Sequence, residues 1–158
     1  MSLDYVAVFE ALAAAVRAGV SGPLQKQPFK AFSAMPDSPA RPCWSVADME
    51  IEDIQQTFRG MEKVTIHSYV FVDRSGEPSA SQRALARYIA PDGSYSVRAA
   101  ISAQANTAAG GRGLVTVACP AGLVAGLRII KVQGWREYQF GPAEVRAYGA
   151  TIDISVWG

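Results

Sequence analysis

Two long runs near the C-terminal end, RIIKVQ at residues 128–133 and EVRAYGATIDISVW at 144–157, read as strands on either side of Gly141 and Pro142. In the second, Ala150, Ile152, Ile154 and Val156 share one face, and Thr151, Asp153, Ser155 and Trp157 share the other. That period of two is the pattern of a half-buried strand. A chain ending on a sheet strand is expected to have no tail for targeting or tethering, which places its function on the surfaces of one compact body.

The strongest strand signal is VTIHSYVFV at residues 64–72, dense in β-branched and aromatic side chains. Ahead of it, Val46, Asp48, Glu50 and Glu52 fall on one parity, and Ala47, Met49 and Ile51 on the other, giving an acidic and an apolar face. With the polar stretch 53–60 as their connection, the two runs predict a long hairpin over residues 44–73.

Helices are expected on either side of this hairpin. Val6, Phe9, Ala13 and Val16 recur at spacings of three and four, predicting a helix over 3–18 with Ser2 as its cap and Gly19 as its stop. Ser79 and Gln82 form a capping box for a helix over 79–90, whose buried stripe is Ala84, Leu85, Tyr88 and Ile89. Pro91, Asp92 and Gly93 end it, and Ser94 opens a shorter helix to residue 103 carrying Val97 and Ile101. Six Gly and Pro residues between 22 and 42 rule out a long regular element there and leave a surface segment with a short strand at 29–33. Residues 104–113 are rich in Ala and Gly and predict a mobile loop; a short strand is expected at 114–119 and a longer one at 124–133. The order fits an α+β domain: a mostly antiparallel sheet with a long hairpin, flanked by two to three helices.

With 158 residues, 49% of them hydrophobic and 18% charged, the chain suits one domain with a substantial core over residues 1–158. The balance of 15 Lys and Arg against 14 Asp and Glu leaves net +1 and removes the electrostatic case for a dedicated nucleic-acid or anionic-membrane binder. Cys43 and Cys119 have no companion ligand at zinc spacing and read as two reduced thiols, with a disulfide as the alternative. Asp4 and Glu10 interrupt the first apolar stretch, which lacks the basic leader of a secretory signal. No run approaches the roughly 18 apolar residues of a membrane span, so a protein made and folded in a cytoplasm is expected.

Residues able to do chemistry are scarce. His67, the only histidine, lies mid-strand on the parity of Thr65, Tyr69 and Phe71, where a hydrogen-bonded structural role outweighs general-base catalysis. No nucleophile-elbow sequence accompanies it. Asp48, Glu50 and Glu52 stand about 7 Å apart along one strand face but lack any calcium-loop spacing, and read as a solvated acidic face. The stretch GGRG at 110–113 lacks the Lys and Ser/Thr ending of a phosphate loop. Arg83 and Arg87 share the outer face of one helix, and Trp135 and Tyr138 suit a strand end or a subunit contact better than base stacking. The expectation is no catalytic set, no cofactor and no metal.

Several long strands must have their sheet edges paired, covered or closed, and oligomerisation does this economically. The hairpin tip, with Ile54, Gln55, Gln56, Thr57, Phe58 and Arg59, presents apolar groups from which a monomer gains little and is the candidate subunit contact.

The succession MEIEDIQQTFRGMEKVTIHSYVFVDR at 49–74, the SQRALARY helix at 81–88 and the ending YGATIDISV at 148–156 resemble tail terminator proteins of long-tailed bacteriophages. The likeness covers nearly the whole chain in order and texture, without a diagnostic motif. It implies a sheet flanked by helices, assembled as a ring, commonly a hexamer, on the head-proximal end of the virion tail. Such a ring stops tail-tube polymerisation and presents the surface for head joining. Its implied partners are further copies of itself, the tail tube protein, a head-closure or connector protein, and genomic DNA passing through the lumen without sequence-specific binding. Asp48, Glu50 and Glu52 are then the candidate lumen face, where repeated carboxylates repel phosphate. The Pro-rich segment is longer than the family leads one to expect. Two alternatives stand beside this reading: another neck adaptor, and a small ligand-binding domain or enzyme using His67.

Overall fold

The computed structural model describes residues 4–20, 29–37, 42–51, 63–74, 78–103, 126–140 and 145–157. The predicted subunit-contact loop, Glu52, the Gly-rich stretch and the strand at 114–119 lie outside them. The described residues form an α+β fold of three helices and a five-stranded sheet.

Helix α1 spans Tyr5–Gly19. Asp4, rather than Ser2, caps it: its carboxylate accepts the Ala7 amide at 3.1 Å. The buried face is Val8, Leu12, Ala13 and Val16, and Val6 is exposed, so the expected stripe is rotated. Six alanines in this helix blur the period, because Ala is indifferent to which face it occupies. Gly19 is the last helical residue, and its role is packing: a Cβ there would lie 2.6 Å from the Ala100 Cβ.

Strand β1, Lys30–Phe32, pairs in parallel with β2, Cys43–Ile51, which pairs antiparallel with β3, Lys63–Asp73. The predicted long hairpin is therefore present. Its register shifts between Val46 and Asp48, so Ala47 is a bulge that changes the strand's parity. Val46 consequently turns into the core, 2% exposed, and does not share the face of Asp48 and Glu50 as strict alternation had predicted.

Helix α2 spans Pro78–Ile89 and begins with Pro at a position that needs no amide hydrogen. Ser79 is thus already inside the helix and cannot be its cap. Ser81 instead ties α2 to the sheet, donating to the Asp73 carbonyl at 2.7 Å. Ala84, Leu85 and Tyr88 are buried, as predicted, and Ile89 packs against them. Helix α3 spans Val97–Ala103 and is capped by Ser96, whose hydroxyl accepts the Ala99 amide at 2.9 Å. Ser94, expected at its start, lies in the preceding turn, where Gly93 has a φ of 101°.

Strands β4, Gly126–Phe140, and β5, Val145–Trp157, complete the sheet in the order β1-β2-β3-β5-β4. The core joins Val64, Ile66, Val70 and Val72 of β3 and Ala150, Ile152, Ile154 and Val156 of β5 to Leu12, Val16, Leu85, Tyr88, Val97 and Ile101 of the three helices. All three helices therefore cover one sheet face. Side chains of the opposite parity point to the other face, which among the described residues carries no helix.

Candidate functional site

The uncovered face is organised in rows set by strand register. Asp48 pairs with His67, His67 with Asp153 and Asp153 with Lys131; one row along, Glu50, Thr65, Ser155 and Arg128 align in the same way. Cross-strand partners share a face, so each row runs acidic at β2 and basic at β4. Asp48, Glu50, Arg128 and Lys131 are all exposed.

His67 is the centre of the first row. Its Nδ1 lies 2.9 Å from Asp153 Oδ1, and its Nε2 lies 3.8 Å from both Asp48 Oδ1 and Glu50 Oε2. The hydrogen bond to Asp153 raises its pKa above 6.5; partial burial opposes this, and the charges of Asp153, Asp48 and Glu50 add to the rise. The Nε2 edge faces two carboxylates at more than hydrogen-bonding distance. Among the described residues no group of three or more His, Cys, Asp and Glu is arranged to hold a metal ion. Cys43, the described thiol, is buried four residues from His67 by pairing level, opposite Phe71. That separation, roughly 13 Å along a strand, excludes a Cys43–His67 pair. Clefts lined by Arg98, Ser102 and Arg128, by Arg83 and Arg87, and by Arg87 and Tyr95 do not include His67.

One and two rows from His67 in the other direction, Tyr69 and Phe71 stack with ring centroids 5.5 Å apart, and Tyr138 meets both edge-on at 5.7 and 5.2 Å. Gly149 makes room for them, since a Cβ there would lie 2.6 Å from the Tyr138 ring and 2.8 Å from that of Phe71. Burial raises the Tyr138 pKa, with the neighbouring Tyr69 adding to the rise and Arg136 opposing it. Tyr138 thus packs within its own sheet rather than offering a free stacking platform. Arg87, expected on a hydrated helix face, lies 5.8 Å over the ring of Tyr95.

Of the predicted lumen carboxylates, Asp48 and Glu50 do share one exposed face. What sequence reasoning missed is that His67 stands between them and Asp153, and that Arg128 and Lys131 occupy the same rows. Strand alternation places each residue on a face, but the row it joins depends on register between segments up to 86 residues apart. Neither the protein-family models nor the curated proteins compared with this chain gave a match.

Proposed function

We propose that the protein is a structural ring-forming component of a phage tail, a tail terminator that caps the tail tube and offers the surface for head joining. The single observation that carries the ring is the one-sided sheet. Three helices cover one face, while the opposite face and the outer edge of β4 have no covering element among the described residues. A long bare edge invites pairing, and copies of the same chain are the partner always present. The tail location rests on the likeness of residues 49–74, 81–88 and 148–156 to terminators.

In this reading the uncovered face, with Asp48 and Glu50, turns to the lumen, through which DNA slides without specific contact. The hairpin tip at 54–59 serves as a further subunit contact, and the neighbours are the tail tube protein and a head-closure or connector protein. The protein acts by assembly and holds no cofactor. Light scattering across concentrations, followed by negative-stain imaging with and without tail tubes, tests this. Rings of about six copies, free or seated on tube ends, are expected; a concentration-independent monomer that never engages tubes overturns it. Rings that bind head connectors but not tubes move the assignment to another neck adaptor.

The oriented His67–Asp153 pair favours the second reading, a ligand-binding domain or enzyme. Loss of an activity in His67→Ala, with folding intact, would establish that reading instead.

A further inference from the structure

Building on the ring reading above, we propose that the subunits join head-to-tail through β4 of one copy and the free half of β2 of the next, with Lys131 facing Asp48 and Arg128 facing Glu50. Among the described residues, β1 borders β2 only at Cys43, Trp44 and Ser45, and nothing else pairs with the outer edge of β2 from Ala47 to Ile51. At the far side of the sheet, the outer edge of β4 is open among the described residues. The two open stretches stand at the same level, because Ile51 aligns through Val64 and Val156 with Leu127, and Met49 aligns through Ile66 and Ile154 with Ile129.

Direction also fits. Strands β2, β3, β5 and β4 alternate, so β4 runs antiparallel to β2. A neighbour related by rotation about an axis along the strands therefore brings the two edges together antiparallel, in a head-to-tail contact between different patches. The charges then meet row by row: Asp48 shares its level with Lys131, and Glu50 with Arg128. Within one copy these charges are poorly matched. Asp48 and Glu50 share one histidine at 3.8 Å, and Arg128 and Lys131 have no acidic partner among the described residues. Ile51 and Ile130, two of the three exposed large hydrophobic side chains among the described residues, lie on the same two edges. Ile130 sits at a register shift in β4, and Ala47 at the one in β2, so both edges are interrupted at this level. Such bulges disfavour continuous backbone pairing. The contact is therefore made by side chains. A second shift in β4, between Gln133 and Arg136, bends the strand at the level where β1 of the neighbour would otherwise intrude.

The test is a charge exchange in the full chain. Asp48→Lys/Glu50→Lys and Arg128→Glu/Lys131→Glu each place like charges across every boundary, and each should raise the concentration needed for ring formation by roughly a hundredfold. Mixing the two variants restores opposite charges at every joint of an alternating ring, and the quadruple variant restores them within one chain. Both should recover the assembled mass in light scattering, with circular dichroism confirming that each variant is folded. Rings that form in every variant as in the wild type overturn this contact and leave the ring reading standing. Loss without rescue by mixing or by the quadruple variant also overturns the contact. A wild type that stays monomeric even on tail tubes overturns both.

Discussion

His67 is the only histidine, so its ring protons report on its surroundings without assignment ambiguity. Its folded pKa lies above 6.5, chiefly through the Asp153 hydrogen bond. The fold therefore favours the protonated ring. The stability this contributes is complete below the unfolded value near 6.5 and is lost as pH rises through the higher folded value. The side chain is 34% exposed, so solvent screening keeps this contribution small. An NMR titration should show Asp153→Asn lowering the His67 pKa more than Asp48→Asn or Glu50→Gln, whose carboxylates act across 3.8 Å. The opposite order would remove Asp153 as the main cause. At Gly149, substitution by Ala forces a Cβ into the Tyr138 and Phe71 rings, and Phe71 is only 2% exposed and cannot swing away. A loss of about 1–3 kcal/mol in urea unfolding is expected. The sequence made His67's strand and face legible, but nothing local identifies Asp153 or the aromatic trio as its neighbours. Those contacts exist only once β3, β4 and β5 are in register.

Among the elements, strands were more legible than helix details. The run at 64–72 is dense in β-branched and aromatic side chains, residues 150–157 alternate with a period of two, and both stretches lie in strands. The pattern over residues 124–133 predicts a strand that stops at Gln133, yet β4 continues to Phe140 through Gly134, because two register shifts let it bend without ending. The Ala47 bulge was illegible for a similar reason: no Gly or Pro marks it, and only the pairing with β3 reveals it. Helix α1 was placed well and oriented poorly, since its alanines fit either face. Its true packing is reported by Gly19, where α1 meets α3 closely enough to leave no room for a methyl group. Gly19→Ala gains helix propensity, worth up to about 1 kcal/mol, yet should be destabilising overall because Ala100 is on a packed helix and its Cβ lies 2.6 Å away. A net loss of about 1–2 kcal/mol in thermal unfolding is expected. A neutral or stabilising effect would mean that α1 and α3 separate freely. Leu85→Ala, on α2 against the sheet and fully buried, should cost about 2–5 kcal/mol in the same measurement.

For the whole molecule, the proposed ring has to cover particular edges of the one-sided sheet, and this separates it from a simple dimer. In a twofold dimer the same patch serves both subunits, so covering β4 by β4 leaves the β2 edge bare. A head-to-tail ring covers both edges of every copy at once. Amide hydrogen exchange on the assembled protein should therefore slow around residues 47–51 and 127–131 together and to similar degrees, relative to dilute monomer, while the outward face of α2 keeps its monomer rates. The charges also predict how the assembly comes apart. Exposed ion pairs weaken as the screening length falls from about 10 Å at 0.1 M salt to about 3 Å at 1 M. Protection at both edges should fall together as salt rises, whereas the buried amides of β3 and β5 stay protected, because their exchange depends on unfolding of the core and not on a neighbour. Protection confined to one edge would point to a twofold contact, and protection insensitive to salt would assign the joint to the apolar side chains at its ends and not to its charged rows.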